Sequence, residues 1–550
     1  MARLTVADLE ARAPAEAQVS DQPKIKVGMS TCGMAAGAEP VFVALEAELR
    51  RRSVEWRVAR TGCAGMCSME PLVEVTLPGQ PAVMFGDVTP EFARHLAAAC
   101  AAGKPLPVEK RVPGIADLAR IAGEPVATEG GPRQYRIVMR NCGVIDPEEI
   151  DEYLDRGGYK ALARVLSTMT PEQVIEELKV SGLRGRGGAG FPAWLKWSLT
   201  RESAGEEHLI VCNGDEGDPG AYMDRSVLEG DPHAVLEGMI IGGYVIGAKS
   251  GFFYIRAEYP LAIQRIEKAL RQARASGLLG NNILGTDFSF NVEIRLGAGA
   301  FVCGEETALI ASVEGKRGTP SPRPPYPSVK GLWGQPTMIN NVESLANLTQ
   351  IVLRGGEWFS GIGMGKSTGT KVFAVTGKVK HAGLVEIPMG MTLREVVEGI
   401  CGGSASGSPI KAVQTGGPSG GLIPARELDT PITYEHLQKL GSYMGSGGMI
   451  VMDETDDLVE LSRFYLGFCV DESCGKCAPC RIGGTQMLRL LDRIAAGKGN
   501  EGDIATIRRL AHAMQKASLC GLGQGAPNPV LSALRYFEPE FRGRLTSSGN

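Results

Sequence analysis

The chain has 550 residues, a formal net charge of −4 and a pI of about 6.0, so no basic excess favours nucleic acid as a partner. The N-terminus lacks the basic and apolar regions of a secretory signal, and the longest apolar segment, around residues 234–248, is too short to span a bilayer and contains Glu237. We therefore expect a cytoplasmic protein of roughly three or four domains, in which the 13 cysteines serve metal binding or catalysis rather than disulfides.

The N-terminal part of the chain predicts a small α/β domain. Residues 1–23 are expected to form a tail or a short helix. Residues 24–102 then follow the order strand, helix, three strands and helix, with cysteines in the loops. This order resembles the thioredoxin-like [2Fe-2S] ferredoxin domain.

The resemblance implies two pairs of cysteine ligands, but the sequence supplies only three of the four: Cys32, Cys63 and Cys67. Val27 occupies the position of the missing cysteine. Because such a cluster takes four ligands, two interpretations stay open. Either Cys100 or the Ser30 oxygen completes a [2Fe-2S] site, or the fold has no cluster and its thiols pack as small apolar groups.

A glycine-rich stretch, residues 181–192, is the strongest candidate for ligand binding in the next part of the chain. It contains five glycines and two arginines. Successive N–H groups in such a loop can cradle an anion, more strongly if a helix begins just behind it. Arg184, Arg186 and Lys196 add positive charge, which favours a phosphate-bearing cofactor over a flexible surface loop.

Acidic residues follow the glycine loop at two predicted junctions. A buried strand at residues 208–212 leads into an acidic loop at residues 213–220. Carboxylates at the carboxyl end of a strand can accept hydrogen bonds from ribityl or ribose hydroxyls. A second junction, residues 297–309, contains Glu305 and Glu306, for which helix capping is the alternative role.

The sharpest motif lies near the C-terminus. A C-x2-C-x2-C pattern is followed, after a helical segment, by a fourth cysteine; the four are Cys474, Cys477, Cys480 and Cys520. Three closely spaced thiolates and one remote thiolate are typical of a [4Fe-4S] cube. Zinc is the alternative, although structural zinc sites usually use two C-x2-C pairs.

The glycine loop and the acidic loop together resemble the FMN- and NADH-binding flavoprotein subunit of respiratory complex I. They equally resemble the diaphorase subunits of soluble NAD(P)-dependent hydrogenases and formate dehydrogenases. The resemblance implies an FMN site formed by Gly185, Gly187, Gly188, Lys196, Asn213, Asp215, Glu216, Gly304, Glu305, Glu306, Asn340 and Asn341. It implies a nicotinamide-dinucleotide site formed by Phe191, Asp218, Arg323 and Tyr326.

In this family the protein orients cofactors and needs no nucleophile or general base, so Glu216 and Glu306 are expected to orient the flavin. Three residues depart from the family pattern. Phe301 replaces a common tyrosine, Leu199 replaces an aromatic residue, and Asp218 replaces a glutamate, which leaves NADPH open beside NADH.

The resemblance implies a multidomain α/β fold with a Rossmann-like FMN domain, a β-grasp (ubiquitin-like) insert and a C-terminal helical bundle that carries the iron–sulfur cluster. The predicted segments are an N-terminal tail (1–23), the thioredoxin-like domain (24–102), a linker (103–133), the FMN/NAD(P)H-binding domain (134–367), the β-grasp domain (368–450) and the helical [4Fe-4S] domain (451–550).

The implied function is hydride transfer between NAD(P)H and FMN, with single electrons leaving through the [4Fe-4S] cluster. The expected partners are a small thioredoxin-like [2Fe-2S] subunit and a larger iron–sulfur or catalytic subunit of a hydrogenase or formate dehydrogenase. Two alternatives are an electron-bifurcating subunit and a non-enzymatic cluster scaffold whose flavin site is dead.

Overall fold

The computed structural model describes residues 3–12, 23–121 and 134–546. In this part of the chain, helices and five sheets form a multidomain α/β fold. The largest core lies around the central parallel sheet, and smaller cores lie in the N-terminal, third and C-terminal units. No helix among the described residues is long and apolar enough to cross a membrane.

The N-terminal sheet unit has five strands in the order β2-β1-β3-β4-β5. They are β1 (Lys24–Gly28), β2 (Arg57–Thr61), β3 (Val73–Thr76), β4 (Val83–Phe85) and β5 (Arg111–Val112). The pair β1–β2 is parallel and the other pairs are antiparallel. The helices that precede and accompany the sheet are α1 (Val6–Ala11), α2 (Thr31–Ala35), α3 (Ala38–Arg51) and α4 (Pro90–Ala101).

The expected tail and linker both contain regular structure where they are described. Helix α1 buries Leu9 in the largest core, and Arg12 forms ion pairs with Asp151 and Asp155. In the linker segment, β5 joins the first sheet, and α5 (Ile115–Leu118) leads into β6 (Ala119–Ile121). Residues 1–2, 13–22 and 122–133 lie outside the described part of the chain.

The central unit is built on a parallel sheet of four strands in the order β10-β9-β8-β11. These are β8 (Leu209–Gly214), β9 (Ser250–Arg256), β10 (Asn291–Gly297) and β11 (Thr337–Asn341); β7 (Gln134–Arg136) pairs separately with β6. The helices are α6 (Ile150–Asp155), α7 (Lys160–Thr168), α8 (Pro171–Ser181), α9 (Ala193–Glu202), α10 (Met223–Gly230), α11 (Pro232–Ile246), α12 (Pro260–Ala275), α13 (Glu306–Val313), α14 (Val342–Arg354) and α15 (Gly356–Ser360). Strand β8 is apolar along most of its length because parallel strands are covered on both faces.

The third unit is a mixed sheet in the order β15-β14-β18-β16-β17, which follows a short hairpin of β12 (Gly363–Met364) and β13 (Ser367–Thr368). Its strands and helix are β14 (Thr370–Gly377), β15 (Gly383–Pro388), β16 (Ile410–Thr415), β17 (Leu422–Pro424), β18 (Gly448–Asp453) and α16 (Tyr434–Lys439). The C-terminal unit is helical: α17 (Leu458–Asp471), a π-helical turn (Pro479–Gly483), α18 (Gly484–Ala495), α19 (Glu501–Ala517), α20 (Gly521–Gly525), α21 (Asn528–Tyr536) and α22 (Glu538–Arg542).

Candidate functional site

Three side-chain amides meet at the carboxyl edge of the central sheet. In the register of β11 with β8, Asn340 lies beside Cys212 and Asn341 beside Asn213. Asn213 Nδ2 donates to the Gly304 carbonyl oxygen at 3.0 Å, and Asn341 Nδ2 donates to Asp224 at 2.5 Å. Among the described residues, Asn340 Nδ2 is buried without a hydrogen-bond partner, as expected of a donor that serves a ligand.

The glycine loop begins where helix α8 ends. Gly182 closes the helix in the left-handed conformation, with φ of 66°, and helix α9 begins just after Pro192. Between the helices the chain turns back on itself, because Gly185 N–H donates to the Phe191 carbonyl at 2.8 Å. The loop therefore presents its backbone to the edge of the sheet from between two helices.

The arginines of this loop do not serve the predicted phosphate cradle. Arg186 is buried and donates to the backbone carbonyls of Thr368 and Thr370, which ties the loop to the third unit. Arg184 pairs with Glu435 and lies over the Tyr434 ring. Positive charge at the cavity comes instead from Arg323 and from Lys196, whose Nζ contacts Glu306 and donates to the Ile339 carbonyl.

A cavity of about 610 Å³ lies between the glycine loop, the sheet edge and the segment that precedes β11. Twelve of the sixteen residues that the sequence assigned to FMN or NAD line it: Gly185, Gly187, Phe191, Lys196, Asn213, Gly304, Glu305, Glu306, Arg323, Tyr326, Asn340 and Asn341. The sequence missed further lining residues, among them Ser344, Thr337, Ile339 and Gly521. Gly521 comes from the C-terminal unit, so no local motif around the glycine loop could have indicated it.

The other four predicted residues do not line the cavity: Gly188, Asp215, Glu216 and Asp218. Glu216 accepts hydrogen bonds from Asp224 N–H and Arg225 N–H, both at 3.1 Å, at the start of helix α10. Burial raises the pKa of Glu216 to about 7. Asp218 accepts a hydrogen bond from Ser446 Oγ at 2.6 Å, so it faces the third unit in this structure.

Asp215 is nearly fully buried behind Gly304, and neither of its carboxylate oxygens has a hydrogen-bond partner among the residues described. Arg256 is the nearest cation, at 3.9 Å. Burial raises the pKa of Asp215 to about 7, and the Arg256 charge offsets this only in part. Such an unpartnered acid close to Gly304 is consistent with a hydroxyl-bearing ligand.

The four C-terminal cysteines converge on one small, separate cavity, together with Ser473, Lys476 and Pro320. Cys480 lies in a π-helical turn, and Cys520 is the residue just before helix α20. Ser473 Oγ lies 3.3 Å from Cys480 Sγ. The next residue after Cys520 is Gly521, which lines the larger cavity, so one peptide bond connects the walls of the two sites.

The N-terminal cysteines form a separate group. Cys63 Sγ and Cys67 Sγ are 3.6 Å apart, and Arg225 donates to Cys32 Sγ at 3.7 Å. A hydrogen bond from Cys67, aided by the Arg225 charge, lowers the pKa of Cys32 to about 7 although burial opposes the shift.

These thiols do not fit a four-thiolate [2Fe-2S] site. Cys100 packs in the core of the N-terminal sheet unit, where burial raises its pKa to about 12. Ser30 Oγ is buried without a partner in the described chain, but it is an alcohol rather than a thiol.

Comparison with known proteins identifies the family. The chain is 54% identical over 419 residues to the NADP-reducing hydrogenase subunit HndC of Solidesulfovibrio fructosivorans, a match that covers 76% of this chain and 85% of HndC. The chain belongs to the 51 kDa-type flavoprotein family. It is also 39% identical to an NADH-quinone oxidoreductase subunit of Escherichia coli K12, across 74% of this chain and 93% of that protein.

Family models and a solved structure agree with this membership in the 51 kDa-type flavoprotein family. Residues 178–350 match the Nuo51 FMN-binding domain, 460–544 the NADH-ubiquinone oxidoreductase-F iron-sulfur binding region and 372–422 the SLBB domain. The fold is similar to a chain of an NAD⁺-reducing [NiFe]-hydrogenase in the H2-reduced state, with a TM-score of 0.67, 29% identity and coverage of 98% of this chain and 87% of that chain. The predictions of family, FMN and a [4Fe-4S] cluster are therefore confirmed.

The buried acid behind Gly304 predicts a pH dependence of stability for the flavin-free chain. Because the pKa of Asp215 in the fold, about 7, is above its ordinary value of 3.8, the native state holds this proton more tightly than the unfolded state. Its ionisation therefore lowers stability as pH rises from about 4 through 7, by roughly 4 kcal/mol when complete. We expect Asp215→Asn to raise the thermal midpoint relative to the native sequence at pH 8 more than at pH 5.

Thermal unfolding of the flavin-free protein, followed at both pH values, measures this difference. Asp492→Asn is the matched control, because the Asp492 side chain is half exposed and pairs with Arg463 on the surface. Parallel stability curves for the native protein and Asp215→Asn would show that the buried acid does not titrate in this range.

Proposed function

We propose that the chain is an NAD(P)H-oxidising, or NAD(P)⁺-reducing, diaphorase subunit that passes electrons from nicotinamide to an iron–sulfur cluster. The observation that carries this proposal is the adjacency of Cys520 and Gly521, which puts the cysteine cavity next to the large cavity. When bound, FMN accepts a hydride and releases electrons singly, whereas an iron–sulfur cluster carries single electrons. A chain that holds both next to each other converts two-electron into one-electron transfer.

The residues that line the large cavity have distinct roles in this proposal. The backbones of Gly185 and Gly187 hold the flavin closely, and Lys196 supplies the positive charge. The orphaned Asn340 amide is positioned to donate to the ligand. The unpartnered Asp215 carboxylate beside Gly304 can accept from a ligand hydroxyl, and we assign Glu216 a supporting role, since it fixes the start of helix α10.

The mouth of the cavity is suited to a nicotinamide dinucleotide. Phe191 and Tyr326 line the cavity while their side chains remain 44% and 56% exposed, so both rings are available for stacking. Arg323 lies 6.0 Å from the Tyr326 ring and can pair with a phosphate. Since Asp218 does not line the cavity and accepts a hydrogen bond from Ser446, we assign it no direct contact with the dinucleotide.

We further propose the finer assignments of the units. The strand order of the N-terminal unit supports a thioredoxin-like fold, and the mixed third sheet, with its SLBB match, supports a β-grasp insert. The C-terminal cysteines are assigned to the [4Fe-4S] cluster, which is supported by the match of residues 460–544 to an iron-sulfur binding region.

The names of the relatives support a role within a larger assembly. One is a subunit of an NADP-reducing hydrogenase, and another is a subunit of an NADH-quinone oxidoreductase. We propose that this chain works in the cytoplasm beside a small [2Fe-2S] subunit and a larger catalytic subunit of the hydrogenase or formate dehydrogenase type.

A spectroscopic experiment tests the proposal. The purified, iron-replete chain should show flavin absorbance and, under anaerobic conditions, should bleach at flavin wavelengths when NADH or NADPH is added. It should also reduce an artificial one-electron acceptor with either nucleotide as donor. Protein that binds FMN but does not bleach with either nucleotide would be a scaffold with a dead flavin site, and would overturn the assignment.

A further inference from the structure

Three thiols of the N-terminal sheet unit meet at its interface with the central and third units, outside both cavities. Cys63 is fully buried and Cys67 is half-buried, and their sulfur atoms are 3.6 Å apart. Gly65, between them, has a positive φ of 89° and donates its N–H to Cys63 Sγ at 3.3 Å. The loop is thus folded so that the two sulfurs are already in contact.

Two guanidinium groups flank this loop. Arg225, on helix α10, donates to Cys32 Sγ at 3.7 Å. Arg136 is 1% exposed and donates to the Ala64 carbonyl at 2.6 Å, while its Nε and Nη1 have no hydrogen-bond partner in the described part of the chain. The Arg225 contact favours the thiolate form of Cys32, whereas the neighbouring Cys32 and Cys63 sulfurs and burial raise the pKa of Cys67.

The loop is also fixed from outside. Leu384 N–H donates to the Gly65 carbonyl at 2.9 Å, and Tyr222 OH donates to Cys67 Sγ at 3.6 Å. Tyr222 immediately precedes helix α10, whose first N–H groups hold Glu216. A movement of the Cys67 sulfur would therefore change its hydrogen bond with Tyr222, the residue just before helix α10.

We propose that Cys63 and Cys67 are a redox-active pair that forms a reversible disulfide. Cys67, the less buried of the two, loses its proton and attacks a low-molecular-weight disulfide, which releases one small thiol. The Cys63 thiolate then displaces the second small thiol. The pair loses two electrons and two protons, and the small disulfide is reduced to two thiols.

The geometry suits this reaction better than metal binding. The sulfur atoms must approach from 3.6 Å to about 2.05 Å, which requires only a small side-chain movement. A four-thiolate cluster would need a fourth thiolate beside these three. Cys100 is packed in a different core, and Cys142, in the same core as Cys63, is fully buried, which raises the pKa of its thiol.

Thiol mapping on the intact holoprotein tests the proposal. The protein is equilibrated with mixtures of reduced and oxidised glutathione, free thiols are alkylated, and the tryptic peptide that follows Arg60 and ends at Arg94 is weighed, since it contains both cysteines. We expect both to become protected from alkylation together, with the loss of two hydrogens, and to be recovered on reduction. In Cys67→Ser, Cys63 should stay alkylatable, whereas Cys100→Ser should leave the transition unchanged.

Other outcomes overturn the proposal. Alkylation of both thiols under all glutathione ratios, or a disulfide that joins Cys32 to Cys67, would exclude the Cys63–Cys67 pair. Iron beyond the content of one [4Fe-4S] cluster, lost in Cys67→Ser, would show that these thiols hold a cluster instead. The readout does not depend on electron transfer, so its failure leaves the diaphorase function untouched.

Discussion

Replacing Cys477 with serine should remove nearly all cluster iron from the chain while the flavin is retained. Cys477 is one of four cysteines around a cavity whose walls also include Pro320 and Leu522. Loss of a residue that merely supports a metal ligand already costs about 10–100-fold in metal affinity, so loss of a ligand should cost at least about 100-fold. Electron transfer to a one-electron partner should fall by a similar factor, whereas bleaching of the flavin by NAD(P)H should persist.

Iron analysis, flavin absorbance and anaerobic bleaching on the same sample measure these effects. Cys401→Ser is the matched control, since Cys401 is equally a cysteine but is buried in the core of the third unit. If Cys477→Ser kept its iron and its electron transfer, the four-cysteine ligand set would be wrong. Zinc in place of iron in the native chain would contradict it equally.

The sequence predicted the parts of the site whose signal is local. Cys474, Cys477 and Cys480 lie within a short stretch of sequence, so their spacing can be recognised without knowledge of the fold. The amides Asn340 and Asn341 were assigned from the family resemblance, and the structure places them at the edge of the sheet because β11 pairs with β8 in parallel register.

Contacts between a side chain and a distant unit cannot be read from the sequence. Arg186 was expected to add positive charge at the glycine loop, and its guanidinium is held by the carbonyl groups of residues 368 and 370. Asp218, which the resemblance assigns to the dinucleotide, is hydrogen-bonded to Ser446. Both partners lie far away in the sequence, and no periodicity or spacing reports such contacts.

The closeness of the cysteine cavity to the large cavity also depends on parts of the chain that are distant in sequence. Cys520 was predicted to be a cluster ligand from its sequence motif, but the position of Gly521 on the wall of the large cavity follows only from the docking of the C-terminal helices on the central unit. The distance over which electrons must pass is therefore a property of unit packing rather than of either motif.

Replacing Gly185 with leucine should abolish flavin binding without unfolding the chain. A Cβ at Gly185 would meet only the Phe191 backbone, at 3.6 Å, and the residue does not need a positive φ, so the fold can accept a side chain. Because Gly185 lines the large cavity, that side chain takes space that the flavin needs. We expect flavin affinity to fall by at least about 100-fold, roughly 3 kcal/mol, with a change of only a few degrees, about 2 °C, in the thermal midpoint of the flavin-free chain.

Titration of flavin-free protein with FMN, followed by quenching of flavin fluorescence, measures the affinity. Gly361→Leu is the control, since Gly361 is exposed at the end of helix α15 and its Cβ would meet only backbone oxygens at 3.4–3.5 Å. The two variants add the same apolar volume, so a difference between them isolates the effect of filling the cavity. Native affinity in Gly185→Leu would mean that the glycine loop does not border the flavin, and the site would then have to lie elsewhere along the sheet edge.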